Sequence, residues 1–324
     1  MHTSPWFWIV FNAGVLCVLA MDLFVFQRKM HRPSPREAAT WTIIWVTLSL
    51  GFNALVWHWM GPAKALEFLT GYLIEYSLSV DNIFVFVLIF SYFAVPPAYQ
   101  HRLLFLGILS ALVLRGVIIC LGVAFVERFH WALDFFGAFL LFAGAKMLFW
   151  GRKPVNIGQN PLVRLVRTWL PVADNYYGGH FTIRHNGRRL LTPLAMVLIM
   201  VEATDVLFAL DSIPAIFGIT HDPFIVYTSN VCAVLGLRSL YFLLAGAVHR
   251  FVYLKPALAI ILSFIGAKML LAEVFQIPTG ASLGFIGLVL LAATLLSLLV
   301  KHRSASAEPA VGPDRRSPPV SNMR

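Results

Sequence analysis

Nine runs of mostly apolar residues organise the chain, near 6–26, 41–60, 66–91, 103–125, 131–149, 191–218, 224–247, 256–273 and 280–300. A hydrocarbon core of about 30 Å takes roughly 20 such residues to cross as a helix. Backbone polar groups are satisfied at that depth only in helices or closed barrels. The pattern predicts an all-α membrane protein of about nine transmembrane helices. Composition agrees, with 59 % hydrophobic and 12 % charged residues and a mean hydropathy of +0.78, too apolar for an ordinary soluble domain. The formal charge of +10 would suit a nucleic-acid binder, but the basic residues fall between the runs, where they act as topology signals. No nucleic-acid motif accompanies them.

Those basic residues set an orientation. Arg28, Lys29, Arg32 and Arg36, seven more between Arg152 and Arg189, Arg102, Arg250, Lys255 and five in the C-terminal tail share one side, and only Lys64 and Arg128 lie on the other. The positive-inside rule then predicts an outside N-terminus and a cytoplasmic C-terminus. The stretch Trp6–Phe26 lacks a basic leader region and is expected as a retained first span. Residues 1–303 are expected as one transmembrane domain with a cytoplasmic loop at 151–190, and the Ser/Pro/Ala-rich residues 304–324 as a disordered tail. In the loop, Pro161–Leu170 has the spacing of a surface helix, and His180–Leu191 reads as a hairpin turning at Asn186-Gly187. Cys17, Cys120 and Cys232 lie in apolar runs, odd in number and without a CxxC pair, which argues against a disulfide framework or zinc site.

Comparing the two sides of the loop uncovers a repeat. Glu75-YSLSV-Asp81-Asn82-Ile83 matches Asp205-VLFAL-Asp211-Ser212-Ile213, Leu114-Arg115 matches Leu237-Arg238, and Phe142-AGAKML nearly recurs as Phe264-IGAKML. The copies, about 66–150 and 191–273, cover spans 3–5 and 6–8. An offset of three spans inverts the second relative to the first, giving the 3+3 inverted repeat of many secondary transporters.

Five carboxylates lie within these runs: Glu75, Asp81, Glu202, Asp205 and Asp211. Each costs roughly 2.5–3.5 kcal/mol at the membrane centre if uncompensated. Four bases are available as charge partners. Arg115 and Arg238 sit mid-span, where each is expected to hold a carboxylate through a bidentate contact, whereas Lys146 and Lys268 lie close enough to helix ends to reach the headgroups. Five acids against two arginines leave a negative excess that a divalent cation and a proton would remove. Glu202 and Asp205, three apart, share a helix face, while Asp211 falls about 120° round from Asp205. Pro214 has no N–H for the Leu210 carbonyl, so it is expected to break the helix beside Asp211 and free a further oxygen. Asn82 and Ser212 add neutral oxygens. A donor set without Cys or His suits manganese, calcium or magnesium. His58, His130 and His249 lie near span ends and read as interfacial, and Gly236, Gly246 and Gly266 as close-packing residues.

The segments Gly71-YLIEYSLSVDN-Ile83 and Val201-EATDVLFALDSIPAIF-Gly218 resemble the paired signatures of the TerC/Alx family of multi-span membrane proteins. The resemblance extends to the Arg115 and Arg238 helices and to 180–193, covering most of residues 35–300. It implies manganese export and tellurite resistance, and it puts the family's acidic positions on Glu75, Asp81, Glu202, Asp205 and Asp211. Where relatives of this pattern carry Lys after the first Glu, this chain has Tyr76. The expected function is a secondary transporter that exports Mn2+ from a multi-pass position in an inner or plasma membrane, with proton antiport as its coupling. No prosthetic group or enzyme activity is expected; the expected partners are the cation, the lipid bilayer and protons. The alternative is a non-transporting scaffold of a metal or tellurite stress-response complex. An intramembrane aspartyl hydrolase would need a GxGD-type element that is absent.

Overall fold

Among the described residues six helices open on proline, a residue whose missing N–H costs nothing in a first turn and whose fixed φ already suits a helix. They are α1 (Pro5–Phe26), α2 (Pro35–Met60), α3 (Pro62–Tyr92), α4 (Pro97–Arg128), α6 (Pro193–Phe217) and α7 (Pro223–Leu235). The others are α5 (Ala132–Phe149), α8 (Leu237–Leu244), α9 (Leu254–Leu270) and α10 (Thr279–Ala305). This computed structural model describes residues 5–26, 34–129, 131–149, 172–173, 175–185, 188–245, 253–272 and 274–305.

Side chains and glycine settle the helix ends. Ser34 accepts the Glu37 N–H at 3.2 Å in an S-x-x-E start, and Asp222 accepts the Phe224 N–H at 3.0 Å. Gly61, at φ +92°, alone separates α2 from α3. A side chain would strain that conformation.

The helices α2 to α6 and α10 are each long and apolar enough to cross a membrane. The pair α7–α8, bent by 40° at Gly236, makes a seventh span if taken together. The runs near 6–26 and 256–273 are also helical: α1 has 22 residues, with side chains described as far as Met21, and α9 has 17 residues with Lys255 and Lys268 inside it. The described residues therefore give six to seven spans where the sequence counts about nine.

Large apolar side chains face outward, as in Leu121 (66 % exposed), Leu207 (64 %) and Leu288 (67 %). This is the arrangement expected against lipid tails rather than water. The polar burden sits inside: α7 buries Thr228, Ser229 and Asn230 completely, and α3 does the same with Thr70, Glu75 and Ser79.

Helices α5 and α9 touch through their backbones. A Cβ at Gly266 would lie 2.6 Å from the Gly137 carbonyl oxygen, and one at Gly144 would lie 2.7 Å from that of Ala259. Small residues bring helices together in this way in membranes. Of the other packing glycines, Gly236 lies beside Trp45 (3.4 Å), and Gly246 falls outside the described residues.

The expected hairpin is present, with β1 (Thr182–His185) antiparallel to β2 (Arg188–Leu191) and Thr182 opposite Leu191. Its tip, Asn186-Gly187, the surface helix expected at 161–170 and the tail beyond 305 lie outside the described residues. Arg102 at the start of α4 holds the hairpin base, donating to the Gly179 carbonyl at 2.5 Å with its guanidinium 4.9 Å from the Phe181 ring centre. The neighbouring Tyr176 donates its hydroxyl to the Phe93 carbonyl at 2.7 Å.

Candidate functional site: an arginine between two buried carboxylates

Helices α3, α4, α6 and α7 pack against one another around the buried acids. The helix α3 comes close to α7 at Gly71, where a Cβ would meet Ser229 Oγ at 2.9 Å, one turn before Glu75. Likewise Gly107 on α4 leaves room for Val201 and Glu202 of α6, at 3.3 and 3.7 Å from its virtual Cβ.

Arg115 of α4 stands at the centre, only 1 % exposed. Its Nη2 and Nε donate to Asp205 Oδ1 and Oδ2 at 2.8 and 3.1 Å. This is the bidentate fork that a guanidinium makes and an ammonium cannot. Its Nη1 donates to Asn230 Oδ1 at 3.1 Å and to Glu75 Oε1. Glu75 and Asn230 are completely buried and Asp205 nearly so. A single positive charge thus joins two carboxylates from opposite sides of the repeat, leaving one formal negative charge. Such a charge is costly at this depth unless something more compensates it.

Four buried side-chain oxygens on α3 and α6 have no hydrogen-bond partner: Glu75 Oε2, Ser79 Oγ, Glu202 Oε2 and Ser212 Oγ. Buried polar atoms are rarely left this way. Glu75 and Ser79, one turn apart, share a face of α3. The other oxygen of Glu202 lies 2.5 Å from Ser110 Oγ. A small void of about 10 Å3 beside Asp205, Gly107 and Ala111 has room for about one water.

The remaining sequence candidates are distributed more widely. Asn82 (2 % exposed) and Ser212 (1 %) are buried, Asp211 is half-buried, and Arg238 on α8 is buried at 5 %. Asp81 sits on α3 beside Asn82, with its side chain outside the described residues. Lys146 is exposed near the end of α5, its Nζ 5.9 Å from the Phe142 ring centre, and Lys268 is half-buried in the last turn of α9. Among the described residues no three His, Cys, Asp or Glu side chains converge on a metal position. The break expected at Pro214 is not seen, because α6 runs on to Phe217 and the proline falls in its last turn. With so few hydrogen bonds left to lose, the helix ends instead of unwinding. The mid-span interruption lies at Gly236.

Two features escaped the sequence reading. Asn230 completes the arginine's contacts, and the polar triplet Thr228-Ser229-Asn230 inside an apolar run could have revealed it. Glu67, near the start of α3, accepts from Lys64 at 2.8 Å and from Thr220 Oγ1 at 2.5 Å, while Lys64 also reaches Asp222 at 3.4 Å. A sequence census limited to mid-span acids passes over this cluster.

Long apolar helices enclosing a charged core define a multi-pass integral membrane protein. Residues 60–305 match the model of the integral membrane protein TerC family, and the chain belongs to that family. It is 51 % identical over 310 residues to an uncharacterized membrane protein of Myxococcus xanthus, covering 96 % of this chain and 97 % of the relative. It is also 48 % identical over 309 residues to the Alx protein of Salmonella typhi (93 % and 96 % covered) and 47 % identical to that of Escherichia coli K12, with the same coverage. The name given to both Alx proteins proposes a membrane-bound redox modulator. No solved structure matches the chain.

Proposed function

We propose that the chain is a secondary transporter that exports a divalent metal cation, manganese, through the carboxylate site across an inner or plasma membrane. The observation that carries this reading is the buried Glu75–Arg115–Asp205 bridge, with unpartnered oxygens of Glu75, Glu202 and Ser212 on the two helices that supply its carboxylates. In the state described, the Arg115 guanidinium is the resident cation. When it yields Glu75 and Asp205, these carboxylates, with Glu202, Asp211, Asp81 and the neutral oxygens of Asn82 and Ser212, offer an all-oxygen donor set suited to manganese, calcium or magnesium. Family membership is what favours manganese within that group. Glu202, bonded to the Ser110 hydroxyl rather than to a charge, is the acid assigned to carry a proton inward as the metal leaves.

Nine spans with an inverted repeat and an outside N-terminus belong to the same proposal. The matched motifs around Gly144 and Gly266 support it, since each glycine lies against the partner helix's backbone, a reciprocity expected of a two-fold relation. The broken span α7–α8 is also common in transporters of this kind.

Proteoliposomes loaded with manganese, in competition with calcium and magnesium and with or without a pH gradient, test the proposal. Asp205→Asn and Asp211→Asn are expected to abolish efflux in protein that still inserts; wild-type efflux from both would refute it. A second reading, redox modulation, follows the name of the Alx relatives. It is favoured if replacing Cys17, Cys120 and Cys232 together abolishes a redox phenotype while manganese efflux persists.

A further inference from the structure

Between α1, α2 and α7 lies a cavity of about 510 Å3 that the carboxylate site does not use. Its walls include Trp6, Phe11 and Val18 of α1, Trp45 and Trp59 of α2, and Leu235 of α7. Ser49, one of the few polar residues there, already donates its hydroxyl to the Trp45 carbonyl at 2.9 Å. Helix α1 is held to the body by aromatic contacts near its start and by the buried Leu19 further along. Phe7 packs on Trp59 (5.6 Å between ring centres), Phe11 packs on Phe52 (5.0 Å), and Tyr227 donates its hydroxyl to Asn12 at 2.8 Å. Beyond that tie the wall recedes at Gly14, where an added Cβ would meet open space.

The dimensions select the occupant. An apolar cavity stays dry, so water is not the filling. From Trp6 to Val18, and from Trp45 to Trp59, the walls run roughly 18–21 Å at 1.5 Å per residue, a little more than one leaflet of a ~30 Å hydrocarbon core. Spread over that length, 510 Å3 of room for atom centres leaves about 24–28 Å2, or about 55–60 Å2 once widened by a 1.4 Å radius, against about 80–110 Å2 for a helix 10–12 Å across. A second copy's helix does not fit; an extended hydrocarbon chain does. We propose that this cavity holds one acyl chain of a membrane phospholipid, drawn from the leaflet on the side of Trp6 and Trp59.

Reconstitution into phosphatidylethanolamine and phosphatidylglycerol vesicles containing a trace of phosphatidylcholine with a photoactivatable acyl chain tests this, with crosslinks read by peptide mass spectrometry. The expected result is label on Trp45, which lines the cavity and is buried at 6 % exposure. Gly14→Phe, filling the recess, is expected to lower that label severalfold and leave label on the outward-facing Leu288 and Leu291 of α10 unchanged, which also reports that the variant is folded. Should Gly14→Phe not fold, Leu48→Trp narrows the same space. Wild-type label confined to exposed positions such as Ile43, or Trp45 label unaltered in a folded filling variant, overturns the proposal. So does a dimer in native mass spectrometry that the filling variant dissociates.

Discussion

Arg115 reaches two acids and an amide with one guanidinium, and its substitutions should therefore separate charge from shape. Arg115→Lys keeps the charge and loses the fork to Asp205. It is expected to retain a folded protein but to transport poorly. Arg115→Ala strands two carboxylates at full burial and should cost about 3–5 kcal/mol of stability, read as a fall in thermal midpoint in detergent. Equal behaviour of the two variants would remove the fork from the argument. Asp205→Asn, by contrast, removes one of the two acids that Arg115 balances and should destabilise less than Arg115→Ala. The acids and the arginine were legible in the sequence because a charge within an apolar run must be compensated. Asn230 was not, because an uncharged amide creates no comparable demand and its value appears only once α7 lies against Arg115.

At the scale of elements, the α5–α9 seam makes a sharp prediction. Gly266→Ala puts a methyl group 2.6 Å from backbone atoms of Gly137 and Leu141, and a backbone contact can relieve that only by moving the helices apart. A loss of about 1–3 kcal/mol is expected, measured against Gly280→Ala, whose Cβ meets open space. The hairpin base offers a pH test. Burial raises the Tyr176 phenol above its ordinary value of about 10. The folded state therefore favours the protonated donor, and its contribution is complete below pH ~10 and is lost as pH rises through the raised value. Protection of residues 172–191 from proteolysis should weaken over that alkaline range in the wild type, while Tyr176→Phe should be weaker at neutral pH and lack this step. Hairpin and helices were legible from Asn186-Gly187 and from the apolar runs. The two span counts differ because α9, 17 residues with Lys255 and Lys268 inside it, falls short of a full crossing by length alone. Pro214 signals a break in sequence, but in the last turn of α6 it has few hydrogen bonds to disturb, and the bend between α7 and α8 falls at Gly236, which the sequence marks less strongly.

For the whole molecule, the proposed orientation puts the connections at 61, 218–222 and 271–278 outside and those at 93–96 and 172–192 inside. In a cysteine-free background, a membrane-impermeant thiol reagent added to intact cells should label cysteines placed at His221 and Gly280 and spare those at Gln100 and Tyr177. The reverse pattern would invert the chain and the direction of export with it. One earlier feature also constrains how the molecule can move. Only Gly61 joins α2 to α3, too short a joint for one helix to slide past the other. Helix α3 carries Glu75, and α2 carries a wall of the apolar cavity. Any stroke that turns Glu75 toward one face of the membrane must drag that wall along, so the two helices act as one lever, and a hydrocarbon chain wedged at one end becomes a load felt at the other.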